Sequence, residues 1–165
     1  MEGTKKIVLL GQFGVGKTSL LRRFMTNVFE VDYKTTLGVQ IKKKEITLPS
    51  GKKLSMIIWD LEGFSSVSNT RTSYLIGSDG FIYVFDLTRP VTYFNLREEI
   101  DYIEKNYPNV CLKIIGNKND LKDSSSIEEY LANKNLKVHG FCSAKTGEGV
   151  EEIFRHIAFK IGSNE

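Results

Sequence analysis

A doubly wound α/β domain, with a mostly parallel six-stranded sheet, one antiparallel edge strand and helices on both faces, is predicted by three observations. Short runs rich in β-branched and aromatic residues (Ile7–Leu10, Leu54–Trp59, Phe81–Phe85 and Val110–Ile115) are apolar at most positions, as strands buried on both faces must be. Helical stripes accompany them. Tyr93, Leu96, Ile100, Ile103 and Tyr107 recur at spacings of three and four, as do Val150, Ile153, Phe154, Ile157, Ala158 and Ile161. The third observation is an exception: Val39–Leu48 and Lys53–Trp59 flank Pro49-Ser50-Gly51-Lys52, a hairpin that places one antiparallel strand at the sheet edge.

Along the chain, Ile7–Leu10 runs through a glycine-rich turn into a helix over Ser19–Met25. The hairpin, the third and fourth strands, the Tyr93–Tyr107 helix and Val110–Ile115 follow, then a short strand over Lys137–Phe141 and the closing helix. Glu148, Glu151 and Glu152 lie near the start of that helix and Arg155 and Lys160 further on, the order that suits its dipole. Such alternation builds right-handed βαβ units. Residues 1–165 show no repeat or linker, and 41% hydrophobic with 26% charged side chains fits one domain that buries a core without disulfides or a structural metal. Cys111 and Cys142 stand apart in apolar stretches, as reduced cytosolic thiols do. A net charge of +3 is too small to imply nucleic-acid binding. No apolar run approaches the roughly 20 residues of a membrane span, and no signal peptide precedes the first strand. The expectation is a cytoplasmic monomer.

Directly after the first strand, Gly11-Gln12-Phe13-Gly14-Val15-Gly16-Lys17-Thr18 matches G-x-x-x-x-G-K-[ST] and opens a helix. Glycines in such a turn let successive N–H groups converge on a phosphate at the helix N-terminus; the lysine reaches the β and γ phosphates and the threonine hydroxyl binds Mg²⁺. Asp60-Leu61-Glu62-Gly63 ends the third strand, on the edge where open α/β sheets bind ligands. An aspartate there can hold Mg²⁺ through water, and the Gly63 N–H can meet a γ-phosphate. After the fifth strand comes Gly116-Asn117-Lys118-Asn119-Asp120. A carboxylate at Asp120 can accept both the N1–H and the N2 amine of guanine. Adenine offers neither, a mismatch that discriminates by roughly 10⁴ or more. Ser143-Ala144-Lys145 follows the short strand, and the Ala144 N–H can meet guanine O6.

GQFGVGKT, Thr36 within TTLGV, WDLEG, GNKND and CSAK occur in the order and approximate spacing of the Ras superfamily of small GTPases, which the chain resembles from about residue 5 to 161. TLGV, YLIGSDG and AKTGEGVEEIF look most like its Rab branch. The resemblance implies a P-loop NTPase G domain that binds GTP or GDP through Gly14, Val15, Gly16, Lys17, Thr18, Ser19, Phe29, Tyr33, Thr36, Gly63, Asn117, Lys118, Asp120, Ser143, Ala144 and Lys145. It implies Mg²⁺ on Thr18, Thr36 and Asp60, and hydrolysis served by Lys17, Thr36 and Gly63. Phe29 would pack on the guanine edge and Tyr33 would cover the phosphates. Two loops held by γ-phosphate and Mg²⁺ would be released on hydrolysis. Partners would be effectors, exchange factors and activating proteins, met through these switches and the edge strand, in signalling or vesicle traffic.

Three positions depart from the family. The glutamine that usually orients the attacking water is Phe64 here, so intrinsic hydrolysis should be slow, and a catalytically inactive GTP-binding module is the alternative. Phe13 replaces a small phosphate-loop residue and could crowd the γ-phosphate, or turn outward. Glu62 would face the γ-phosphate with a repulsion of about 4 kcal/mol at 4 Å and an effective dielectric near 20, so its carboxylate should turn away, approach Mg²⁺ or orient a water.

Other signals have plainer readings. Ser65–Ser73 is poor in helix formers, which predicts a mobile second switch, and Arg71 within it reads as a solvated arginine. Lys42, Lys43 and Lys44 fall on the edge strand, where lysines guard against aggregation, with an acidic effector or an anionic membrane as the alternative partner. His139 and His156 lack ligand-like companions, and Trp59 is either core or an effector platform. Gly162-Ser163-Asn164-Glu165 carries no prenylated cysteine and Glu2 excludes an N-myristoylated glycine, so the expectation is peripheral membrane recruitment either through partners or through a lipidated tail absent from this sequence.

Overall fold

Strand β1 (Gly3–Leu10) sends Ile7 and Leu9 to one face of a sheet and Val8 and Leu10 to the other, and all four are fully buried. The computed structural model describes residues 3–26, 38–61 and 66–163. Among these the remaining strands are β2 (Val39–Thr47), β3 (Lys53–Leu61), β4 (Gly80–Asp86), β5 (Cys111–Asn117) and β6 (Gly140–Phe141), in the sheet order β2-β3-β1-β4-β5-β6. Every pairing is parallel except β2 on β3, where Ile41 lies opposite Trp59. The predicted fold class is therefore the observed one. The order turns back between β3 and β4 on either side of β1, and ligand sites of open α/β sheets form at such a switch point.

Helices cover both faces. On the Ile7/Leu9 side, α1 (Lys17–Thr26) and α5 (Val150–Gly162) bury Leu20, Leu21, Phe24, Phe154 and Ile157, and the Phe24 and Phe154 rings stack at 4.2 Å. α2 (Thr72–Leu75), α3 (Leu96–Asn106) and α4 (Ser125–Ala132) face the other core, with Leu75, Leu96, Ile100, Ile127 and Leu131 against Phe81, Tyr83 and Phe85.

Local differences from the sequence reading have physical causes. The sixth strand is only two residues long, because the His139 Nδ1 takes the Ile114 N–H at 2.9 Å that a ladder carbonyl would otherwise accept. α3 starts at Leu96, since Pro90 opens a separate 3₁₀ turn over Pro90–Thr92. The sequence reading lacks α4 altogether, whose eight residues bury only Ile127 and Leu131. Lys44 leaves the solvated row of Lys42 and Lys43: its ammonium lies 3.7 Å from the Phe24 ring centroid and donates to the Phe24 carbonyl. His156 and Arg71 are exposed as read, and Trp59 is half-buried beside Tyr74, with Lys6 Nζ 4.0 Å above its ring.

Glu99 takes a core place in the α3 stripe. It is 7% exposed, and its Oε2 accepts the Val67 N–H at 2.7 Å. The buried Tyr83 hydroxyl bonds the same side chain. Burial pushes the Glu99 carboxyl up, and the Val67 hydrogen bond opposes that shift. The segment after β3, read as loose, is thus anchored at Val67, the start of the 3₁₀ turn Val67–Asn69.

Two outcomes are expected. Phe154→Ala should lower unfolding free energy by about 3–5 kcal/mol, measured by denaturant titration; a loss under about 1 kcal/mol would show that the stack contributes little. Glu99→Leu leaves the Val67 N–H unpaired and should cut its amide-exchange protection about tenfold, whereas unchanged protection would show that Val67 is held by packing alone.

Candidate functional site

The loop between β1 and α1 is shaped by two glycines. Gly11 has φ +144° and a Cβ on it would lie 2.3 Å from the Val84 carbonyl oxygen; Gly16 has φ +100° and a Cβ there would lie 2.3 Å from Asn117 Nδ2. Every carbonyl from Gly11 to Val15 has a side-chain donor. Lys17 Nζ donates to Gly11 O at 2.9 Å and Gln12 O at 3.2 Å, Arg89 Nη1 to Phe13 O at 2.9 Å, Lys118 Nζ to Gly14 O at 3.3 Å and Asn117 Nδ2 to Val15 O at 2.9 Å. With Phe13, Gly14 and Val15 carbonyls committed to one side, the trans N–H groups of Gly14, Val15 and Gly16 point to the other, where an anion would find them. Gly16 O takes up the helical ladder from Leu20 N, so α1 adds its N-terminal dipole.

Beside this loop lie the groups expected to meet phosphate and metal. Lys17 is buried in the first turn of α1, with Ser19 two residues on. Burial pulls the Lys17 ammonium down to about 8, against the raising effect of Asp60. Asp60 is fully buried near the end of β3, and its carboxyl is pushed up by burial against the Thr18 hydrogen bond and the charges of Lys17 and Arg22. Thr18 Oγ1 donates to Asp60 Oδ2 at 2.6 Å, whereas Asp60 Oδ1 is buried with no hydrogen-bond partner among the described residues. A buried, unsatisfied carboxylate oxygen next to a hydroxyl is chemistry suited to Mg²⁺, a hard cation that takes few protein oxygens and completes its shell with water and phosphate.

The other end of the site hangs on Asn117, which is 1% exposed at the end of β5. While its Nδ2 holds Val15, its Oδ1 accepts the Ala144 N–H at 3.2 Å and the Cys142 thiol at 3.5 Å. Burial pushes that thiol up to about 12, so it stays protonated. Lys118 follows at φ +69° and pairs with the fully buried Asp86 at 2.7 Å. Asp120 is exposed, with Oδ1 accepting from Ser143 Oγ at 2.8 Å; Ser143 Oγ in turn accepts the Thr146 N–H at 3.0 Å. Arg23 ties α1 to the same loop by donating to Ala144 O at 2.9 Å and to Lys145 O.

The structure thus brings together Gly14, Val15, Gly16, Lys17, Thr18, Asp60, Asn117, Lys118, Asp120, Ser143 and Ala144, with Ser19 and Lys145 adjoining. Phe29, Tyr33, Thr36, Glu62, Gly63 and Phe64 lie outside the described residues. Phe13 is 63% exposed. The sequence reading lacks Asp86, Arg89 and Gln12. Asp86 carried a usable signal, an acidic residue ending a strand on the same sheet edge as Asp60. Arg89 and Gln12 carried none, because each acts on the backbone of a distant turn.

The Ras family model matches residues 6–163. Ras-related protein RABC1 of Arabidopsis thaliana is 36% identical, with 94% of this chain aligned to 76% of that protein. RABC2b and RABC2a of the same plant are 37% and 38% identical, again over 94% of this chain and over 78% and 77% of theirs. A match over nearly the whole described chain, together with Rab-related relatives at this identity, makes the protein a member of the Ras family of small GTPases, of the Rab-related kind.

Proposed function

We propose that this chain is a Mg²⁺-dependent guanine-nucleotide switch: it holds GTP or GDP between the Gly11–Thr18 loop and the Asn117–Asp120 and Ser143–Lys145 loops, and recruits effectors in its GTP state. The observation that carries this reading is the buried Asn117 amide, which joins Val15 of the anion-binding loop to Ala144 of the base-side loop. One rigid frame then fixes the distance between the groups suited to phosphate and the carboxylate suited to guanine. Thr18 and Asp60 would hold the cation, which lowers the charge on the phosphates; Lys17 would stabilise charge at the β and γ positions. Thr36 and Gly63 would report the γ-phosphate. Membership of the family adds exchange factors, activating proteins and effectors as the expected partners, with vesicle traffic or signalling as the setting and peripheral membrane recruitment through partners or a lipidated tail. The domain spans residues 1–165, and a monomer is expected.

Hydrolysis is proposed to be slow. Phe64 stands where the family's water-orienting glutamine usually lies, and its ring lacks the amide donor and acceptor that would place and polarise the attacking water. The same residue favours the second reading, a module that holds GTP without turning it over.

Identifying the nucleotide released from purified protein and then following a single turnover of GTP separates the two. Bound GDP with a slow but measurable rate supports the switch; persistent GTP with no product supports the module, and preferential binding of ATP overturns both. Asp120→Ala should weaken GDP binding at least about 100-fold while leaving the fold intact, read by fluorescent-nucleotide titration, because it removes a charged acceptor for two guanine donors. Unchanged affinity would exclude Asp120 from base recognition.

A further inference from the structure

The Phe13–Gly14 peptide lies in the middle of the anion-binding loop, and it is held from a turn that belongs to none of the nucleotide motifs. Arg89 Nη1 donates to Phe13 O at 2.9 Å, and it lies 3.0 Å from where a Cβ on Gly14 would stand. Gly14 has φ +78°, and glycine adopts positive and negative φ with similar ease. Sterics therefore do not stop this peptide from flipping, which would turn its carbonyl into the loop and its N–H away. The neighbouring peptides are held by Lys118 and Asn117, on the base side.

Arg89 is itself held at its root. The Thr92 hydroxyl meets Asp86 N at 2.9 Å and Arg89 O at 2.7 Å, and Arg89 N donates to Asp86 O at 3.1 Å, so the turn is locked to the end of β4. Gln12 Nε2 straps the anion-binding loop to the same turn through Val91 O at 2.8 Å. The guanidinium thus reaches the Phe13 carbonyl from a fixed base.

We propose that Arg89 is a positioning residue for phosphate binding. It keeps the Phe13–Gly14 peptide with its N–H turned toward the phosphates, and so sets the lifetime of the bound nucleotide. The inference rests on the guanine-nucleotide reading above. Base selection lies at Asp120 and should be indifferent to Arg89.

The test compares Arg89→Ala and Arg89→Lys by GDP release and by the phosphorus NMR resonance of the bound β-phosphate. Arg89→Ala should release GDP about tenfold faster, the scale of one lost charge-assisted hydrogen bond, with a displaced β-phosphate resonance and an unaltered preference for guanine over adenine. Arg89→Lys should restore most of the lifetime and the resonance, because an ammonium can donate to the same carbonyl. If Arg89→Ala does not fold, Arg89→Gln is read instead, with release about threefold faster expected from an uncharged donor. Release within twofold of the unsubstituted protein and an unmoved resonance overturn the positioning role, as does a lowered melting temperature with an unmoved resonance. An unsubstituted protein that binds no guanine nucleotide overturns the functional reading itself, and this proposal with it.

Discussion

From Phe13 to Gly16 the chain has to turn successive N–H groups to one side, which leaves successive carbonyls on the other, and a carbonyl set against protein needs a donor. Three side chains from distant parts of the sequence meet that need: Arg89 at Phe13, Lys118 at Gly14 and Asn117 at Val15. The rest of the site follows from it. Asn117 can approach the loop only because Gly16 lacks a side chain. Lys118 can reach Gly14 while its ammonium is held by Asp86, whose register partner across β4 and β5 is Asn117. Asn117 and Lys118 are thus placed at the end of β5 by the same pairing that builds the core, and Arg89 by the turn that follows β4.

A second consequence is that the two ends of the site do not move independently. Asn117 is nearly inaccessible and uses both its amide nitrogen and its oxygen, one toward each half. Losing that side chain would leave a buried carbonyl and a buried N–H without partners, so its role is structural as well as local. Gly11 imposes a similar constraint at the strand, where the loop passes so close to Val84 that no Cβ fits. Sheet, loop and base-side turns form one frame.

The layers of such a frame and its antiparallel edge strand are legible in the sequence because burial writes itself as periodicity and a hairpin turn shows between two strands. Ile7–Leu10 and Phe81–Phe85 are apolar on consecutive positions, and the Val150–Ile161 stripe repeats with the helix. The phosphate loop and the Asn117–Asp120 turn are legible for another reason: backbone convergence needs glycines at fixed spacing, and base selection needs specific polar groups. What is not legible is the bracing. Arg89 acts on a carbonyl 76 positions away, and Glu99 on an N–H 32 positions away, and neither leaves a local pattern. Glu99 even misleads, since a glutamate on an amphipathic helix reads as solvent-facing until the Tyr83 hydroxyl and the Val67 N–H are seen around it. Lys44 fails in the same way, its stem and ammonium turned onto Phe24 rather than into water.

The charges at the anion end give the frame its direction. Lys17 and Asp60 are both buried, and burial acts against the charged form of each, lowering the one and raising the other. Their mutual attraction offsets part of that penalty, and the Thr18 hydroxyl satisfies only one of the two Asp60 oxygens. A phosphate facing Lys17 and a cation facing Asp60 would each restore what burial removes, and each would lower the penalty for the other by neutralising its charge. On the reading proposed here, nucleotide and Mg²⁺ therefore bind as a coupled pair, and their binding energy adds to the stability of the folded chain by mass action. That coupling does not depend on the rate of hydrolysis, because the groups that create it, Lys17, Thr18 and Asp60, lie in α1 and β3.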